Sequence, residues 1–231
     1  MGKIYIEIEE GNPRYVCTDC SNCTSTFGIS LCSIKNRGCC FYFPEFSLLD
    51  IQRMVKTTEG LIVLDTILSH PGTTTQPYCL QTKGFFDESL YNEYKNNGNL
   101  PELDNIKDFT IFFRVCPFVK SGYGCTIPPR YRNIICNTFV CEELYNRADS
   151  SEVSKLYIDE RSRYARWVNW ENTNLKHILM EYNVNLVSDF NKSIQILQEI
   201  PLNNYQFPEL KPLITKYCDN LYPEETDLIA G

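Results

Sequence analysis

The sequence predicts an α+β protein in which a cysteine-rich, metal-binding mixed half, residues 1–141, is joined to a helical C-terminal half, residues 142–231, packed on it within one domain or as a subdomain. Three observations lead there. Ten of the twelve cysteines fall into two blocks, both before residue 142. Strand-like alternation and short helical stretches are interleaved in that same region, and from Glu142 onward apolar residues recur at helical spacing.

Ile4, Ile6 and Ile8 alternate with Tyr5, Glu7 and Glu9, the pattern of a half-buried strand. Residues 11–40 read as a loop rich in Gly, Ser, Thr, Asn and Cys, with apolar clusters too short to order it by burial alone. A helix is expected to start at Ser47, with Asp50 completing a capping box, to present Leu48, Ile51, Met54 and Val55 on one face, and to end near Gly60. Strands are expected at "LIVLDTIL" (61–68) and "PYCLQTKGFF" (77–86), a short helix after Asp87, and a strand at "DFTIFFRV" (108–115) running into Cys116. Beyond residue 142, one helical segment carries Leu156, Ile158, Tyr164, Trp167 and Val168, and the next carries Leu175, Ile178, Leu179 and Tyr182. Further helices fit "VSDFNKSIQILQEI", stopped by Pro201, and "PELKPLITKYC" (208–218). Trp167 and Trp170 are expected to pack between the halves.

At 231 residues and 43% hydrophobic content the chain is long enough to bury a core without covalent staples, so its cysteines point to chemistry rather than to rescue of a small fold. The N-terminus carries Glu7, Glu9 and Glu10 in place of a basic stretch and apolar run, so no secretory signal is read there. No apolar run approaches the roughly 20 residues that span a bilayer. The expectation is a soluble, cytoplasmic protein whose thiols stay reduced, with no membrane partner. A formal charge of −7 argues against general binding to nucleic acid, which needs a basic footprint.

The candidate metal ligands are Cys17, Cys20, Cys23, Cys32, Cys39 and Cys40 in the first block and Cys116, Cys125, Cys136 and Cys141 in the second. In Cys17-x2-Cys20-x2-Cys23 a turn brings successive thiolates toward one metal while intervening amides spread their charge. Side chains of adjacent residues diverge, so Cys39 and Cys40 serve two centres, or one binds and the other packs. Cys79, in a strand pattern, and Cys218, near a helix end, read as small buried hydrophobes. The only histidines, His70 and His177, lie at no finger-like distance from a cysteine pair, so an all-thiolate site follows. Thiolates suit both zinc and iron–sulfur clusters, and the triplet leans toward iron–sulfur, [4Fe-4S] first.

Together with "CCFYFPEFSLLDI" and "CPFVKSGYGCTIPPRYRNIICNTFVC", the triplet resembles the YkgJ-type family of zinc- or iron-chelating proteins, whose pattern is Cys-x2-Cys-x2-Cys-Cys, a helix start, and a later Cys-Pro-Phe series. The matching positions are Cys17, Cys20, Cys23, Cys39, Cys40, residues 47–51, Cys116, Pro117, Phe118, Cys125, Ile127, Arg132, Cys136 and Phe139. The chain departs from the pattern in the fifteen residues, Cys32 among them, between Cys23 and Cys39, in "YRNII" before Cys136, and in Val140-Cys141 where the family has proline. The resemblance implies an iron–sulfur centre and, as the family's best-defined activity, S-adenosylmethionine-dependent N-methylation of lysine on a protein substrate. The residues themselves carry no Gly-x-Gly-x-x-Gly after a strand, and "SGYGC" reads as a hairpin turn between two ligands. The alternative is a zinc-binding structural module whose helical half recognises a partner protein. Arg130 and Arg132, between Cys125 and Cys136, are placed to offset thiolate charge, to hold an anion, or simply to be solvated. The charges of Lys155, Arg161, Arg163 and Arg166 read as a solvated helix face, and His70 as a loop residue.

Overall fold

The computed structural model describes residues 2–18, 25–99, 106–121, 123–146, 148 and 150–215. The first strand, β1 (Gly2–Glu9), follows the predicted alternation, but burial fades along it: Ile4 is fully enclosed, Ile6 half-buried and Ile8 exposed. Glu10 and Gly11 then take φ of 49° and 78°, the positive values that a two-residue hairpin turn requires. The chain therefore returns as β2 (Asn12–Cys17), antiparallel to β1, with Glu9 opposite Asn12 and Ile4 opposite Cys17. The start of the expected loop is thus a strand.

After β3 (Glu45–Ser47), the Ser47–Asp50 capping box opens α1 (Leu48–Val55) as predicted. The helix stops at Val55, not near Gly60, because a new helix starts immediately. Thr57 caps α2 (Thr58–Ser69), its hydroxyl accepting the Gly60 amide at 2.9 Å. The apolar run 61–68 is therefore helix where a strand was expected. Periodicity does not separate the two for so short a run, and the cap decides it. Gly60 is a point of close approach rather than a stop: a Cβ there would lie 2.1 Å from the Met54 carbonyl oxygen.

Strands β4 (Thr73–Gln76) and β5 (Cys79–Thr82) form a hairpin that joins β3 in a sheet of order β3-β5-β4. β6 (Phe85–Phe86) leads into α3 (Glu88–Asn96), capped by Asp87 as predicted. The expected strand at 108–115 is mostly a 3-10 turn, Phe109–Phe113, with Asp108 accepting the Thr110 amide at its start. Ile111, Phe112 and Phe113 are all buried, so the segment has no solvent face to alternate with. Only β7 (Arg114–Val115) pairs, with β6. A small hairpin, β8 (Val119–Lys120) and β9 (Gly124–Cys125), precedes α4 (Ile134–Thr138) and α5 (Glu142–Asn146).

The expected helical segments from residue 150 are one helix, α6 (Ser151–Glu181), capped by Ser150. Its buried stripe is Tyr157, Glu160, Tyr164, Val168, Glu171, Leu175 and Leu179, so Leu156 and Ile158, expected on that face, stand 49% and 45% exposed. Trp167 packs against Tyr164 and Tyr205, whereas Trp170 is exposed. α7 (Phe190–Glu199) ends just before Pro201. Over its described part, residues 208–215, the last expected helix is extended chain and β10 (Leu213–Thr215), which adds to β1 with Leu213 opposite Ile4. Pro208 and Pro212 leave only three residues between them, too few for a helical turn free of proline.

Residues from both sides of position 142 share the main core. Leu48, Leu49, Ile51, Met54 and Val55 of α1 meet Tyr164, Val168, Leu175 and Leu179 of α6 and Ile196 and Leu197 of α7. A second cluster joins Ile4, Tyr15, Val140, Tyr157 and Leu213, and a third joins Ile106, Ile111, Phe112 and Phe113 with Phe27, Leu31 and Phe41 packed on it. Among the described residues no helix is long and apolar enough to cross a membrane.

Gly60→Ala should destabilise the protein by about 2 kcal/mol or more, since the methyl group meets backbone rather than a movable side chain. Urea denaturation reads this, and an unchanged midpoint would contradict the α1–α2 packing.

Candidate metal centre

Four cysteines from separate parts of the chain lie near enough at the edge of the main core for their thiols to influence one another. Cys40 follows a tight turn in which its amide bonds the Arg37 carbonyl at 3.2 Å. Cys116 follows β7, and its amide donates to the Cys40 carbonyl at 2.8 Å, joining the two cysteine blocks directly. Cys125 lies in β9 opposite Val119, so the β8–β9 hairpin returns it toward Cys116, and the Thr126 amide and hydroxyl both bond the Phe118 carbonyl. Cys136 sits in the first turn of α4, where the Asn133 side chain accepts its amide at 2.8 Å. Asn133 also donates to the Glu45 carbonyl, tying that turn to β3.

Mutual electrostatics identify these four thiols as neighbours. Burial first, then Cys125, pushes the Cys40 thiol up, while Arg132 and Arg37 oppose the push. The Cys116 thiol is pushed up to about 12, chiefly by burial and further by Cys40 and Cys125. Hydrogen bonds from the backbone amides of Phe118 and Val119 work in the opposite direction there, favouring the thiolate. Cys136 is raised by burial, then by Cys116, Cys125 and Cys40, with Arg132 opposing. As a residue it is solvent-exposed, so its desolvation is partial and the proximity of the other three sulfurs is the informative part. Cys40, Cys116, Cys125 and Cys136 all carry free thiols. Among the described residues, no three Cys, His, Asp or Glu side chains form a ready-made ligand group; the four thiols are neighbours rather than a closed coordination sphere.

The other predicted ligands among the described residues occupy separate positions. Cys17 ends β2 opposite Ile4. Cys32 is fully buried, with its sulfur 3.3 Å from the Ser30 hydroxyl and donating to the Ile34 carbonyl, a satisfied packing position. Cys39 lies within electrostatic reach of Arg37, and buried Cys141 within reach of Tyr145. Cys20, Cys23 and Cys218 fall outside the described residues. Cys79 faces Ser47 across the β3–β5 pair, and its thiol is pushed up to about 11 by burial and then by Glu45. The His70 Nδ1 accepts the Gly72 amide at 3.0 Å, which gives this histidine a role in its own turn.

The two arginines between Cys125 and Cys136 divide their roles. Arg132 faces the thiols and is held by its Nε–H to the Ile127 carbonyl. Arg130 pairs with Glu10 of the hairpin turn and Glu59 of α2 and lies over the Tyr131 ring, a structural clamp. Sequence reasoning missed Arg37, whose guanidinium lies near Cys32, Cys39 and Cys40. The only signal was a lone cation two residues before the paired cysteines. Comparison with protein-family models, curated proteins and solved structures finds no match to this chain.

A thiol whose pKa rises on folding holds its proton more tightly in the folded state. The associated stability is complete below the unfolded thiol range near ~8.5 and is lost as pH climbs toward the folded value, about 12 for Cys116. Metal-free protein should therefore weaken as pH rises above about 8.5, and Cys116→Ser should weaken less over the same range. The difference should grow by about 1.4 kcal/mol per pH unit, read by urea titrations at stepped pH. Parallel losses in the two proteins would mean that Cys116 is not perturbed by folding.

Proposed function

We propose that this chain is a cysteine-thiolate metalloprotein whose centre is formed by Cys40, Cys116, Cys125 and Cys136. The mutual influence of four thiols from distant segments, two of them tied by the Cys116–Cys40 backbone bond, carries this reading. The surroundings fit thiolates: two backbone amides aim at the Cys116 sulfur, and Arg37 and Arg132 lie close enough to offset charge at Cys40. All four are also positions on which the resemblance to the YkgJ-type family rests.

Four sulfur donors suit an iron–sulfur cluster or, as the alternative, zinc; the lean toward a cluster comes from the resemblance and from the Cys17-x2-Cys20-x2-Cys23 triplet, which is not part of this centre. When bound, a cluster supplies electron-transfer or open-site chemistry, and zinc a crosslink contributing about 10–16 kcal/mol to folding. The chain's own part is to hold Cys40 and Cys116 together through their backbone bond, to present Cys125 from a hairpin, and to leave exposed Cys136 on the solvent side. Lysine N-methylation with S-adenosylmethionine rests on the resemblance alone.

Anaerobic purification, metal and sulfide analysis and an absorbance spectrum form the test. Iron with labile sulfide and broad absorption near ~400 nm marks a cluster, and colourless protein with one equivalent of zinc marks the alternative. Serine at Cys40, Cys116, Cys125 or Cys136 should remove at least half of the bound metal, and Cys79→Ser should remove none. Full retention in all four variants would overturn the assignment.

A further inference from the structure

The helix α6 is buried along one side only. On its opposite side, the residues from Leu156 to Met180 that recur at alternating steps of three and four are all exposed. Among them are three large apolar side chains, Leu156, Trp170 and Met180, at 49%, 58% and 48%. Steps of three and four keep side chains on one line along a helix, the spacing of the a and d positions of a heptad. At 1.5 Å per residue this line runs about 36 Å. One exposed apolar residue needs no explanation, but three on one line, with an arginine one turn from the tryptophan, are the residue types that carry interfaces. Among the described residues neither Asp159 nor Arg166, both on the line, makes an ion pair within the protein.

The line is complementary to its own reverse. A two-fold axis at the level of Val168 turns the helix end for end, so that residues equally far before and after that position face each other across the pair. Leu156 then meets Met180, apolar against apolar, and Asp159 meets His177, a carboxylate against an imidazole. Nearest the axis, the Arg166 guanidinium meets the Trp170 ring, the pairing of a cation–π contact. Arg163, already bonded to Glu160 on its own helix, falls opposite the neutral Thr173. Symmetry makes each of these contacts twice. The parallel arrangement has none of them: it would set Asp159, Arg163 and Arg166 each against its own copy, and like charges oppose pairing.

We propose that the exposed line of α6 is a docking surface for a second copy of this chain, forming an antiparallel two-fold dimer with Arg166 and Trp170 at its centre. The inference goes beyond the metalloprotein reading and does not depend on it. The line is shorter than the roughly 20–30 residues a side of a standard interface, so the dimer is a weak, reversible one that dissociates in the micromolar range.

Sedimentation equilibrium of the reduced full-length protein, from about 1 to about 300 µM, forms the test. Wild type should pass from monomer to dimer over that range; monomer throughout, or a larger assembly, overturns the proposal. Trp170→Ala and Asp159→Arg should each weaken the dimer about tenfold or more. Adding His177→Glu to Asp159→Arg reverses the facing pair and should bring affinity back to within about threefold of wild type, which the antiparallel register alone allows. Ala165→Glu, exposed on the same helix but off the line, should leave the dimer unchanged. A dimer indifferent to Trp170→Ala, or equally weakened by Ala165→Glu, places the contact elsewhere, and a double variant that stays weak refutes the register. The substituted positions are all exposed, so urea midpoints should match wild type; if Trp170→Ala fails to fold, the Asp159–His177 exchange decides alone.

Discussion

The hydrogen bond from the Cys116 amide to the Cys40 carbonyl, 2.8 Å long, is the contact on which the candidate site depends. It joins chain segments that no local element connects. On one side of it the Cys40 loop is stitched to the segment before β7 by the Leu31 amide on the Phe112 carbonyl and to the β8–β9 turn by the Ser121 hydroxyl on the Lys35 carbonyl. On the other side, the Cys116 turn aims two amides at its own sulfur. Cys116 belongs to the main core, and Cys40 and Cys125 pack against it. Three of the four sulfurs are thus positioned by the same burial that stabilises the fold, while Cys136 stands at the solvent edge.

Behind the site, α1 acts as a central post. It is buried on every side, so its polar residues need partners inside the protein. Asp50 accepts from the Ser47 amide and hydroxyl and pairs with Arg53, which reaches the Tyr164 hydroxyl on α6. Gln52 donates to the carbonyls of Ile200 and Pro201 beyond α7, and the Leu49 amide donates to Asn172 of α6. These bonds link the helical C-terminal elements to the cysteine-bearing half alongside the apolar residues of α1 that form the main core. A continuous series of contacts thus runs from α6 through α1 to β3 and, by Asn133 on the Glu45 carbonyl, to the turn that carries Cys136.

What the sequence made legible were the features with local chemistry. The Ser47–Asp50 box, the Asp87 cap and the stop before Pro201 each depend on residues within a few positions of one another, and each stands where the pattern put it. Residues 61–68 and 108–115 were misread because continuous apolar runs suit helix, strand or buried turn alike, and tertiary burial selects among them. β10 was hidden for a related reason: its partner is β1, at the far end of the chain. The α+β class and the grouping of candidate ligands into blocks were readable from composition and spacing. Which thiols meet was not, since that choice depends on a hairpin, a helix cap and a long-range backbone bond.

Arg37 shows why burial of a charge carries information that burial of a hydrophobe does not. The chain has 29 acidic residues, ample supply for a conventional ion pair, and Arg130 takes two of them, Glu10 and Glu59. Arg37 takes none among the described residues and is surrounded instead by carbonyls and thiols. Its donors meet the carbonyls of Phe27, Ile29, Gly38 and Ile111, so the buried guanidinium pins the loop around it to the Phe109–Phe113 turn through the Ile111 carbonyl.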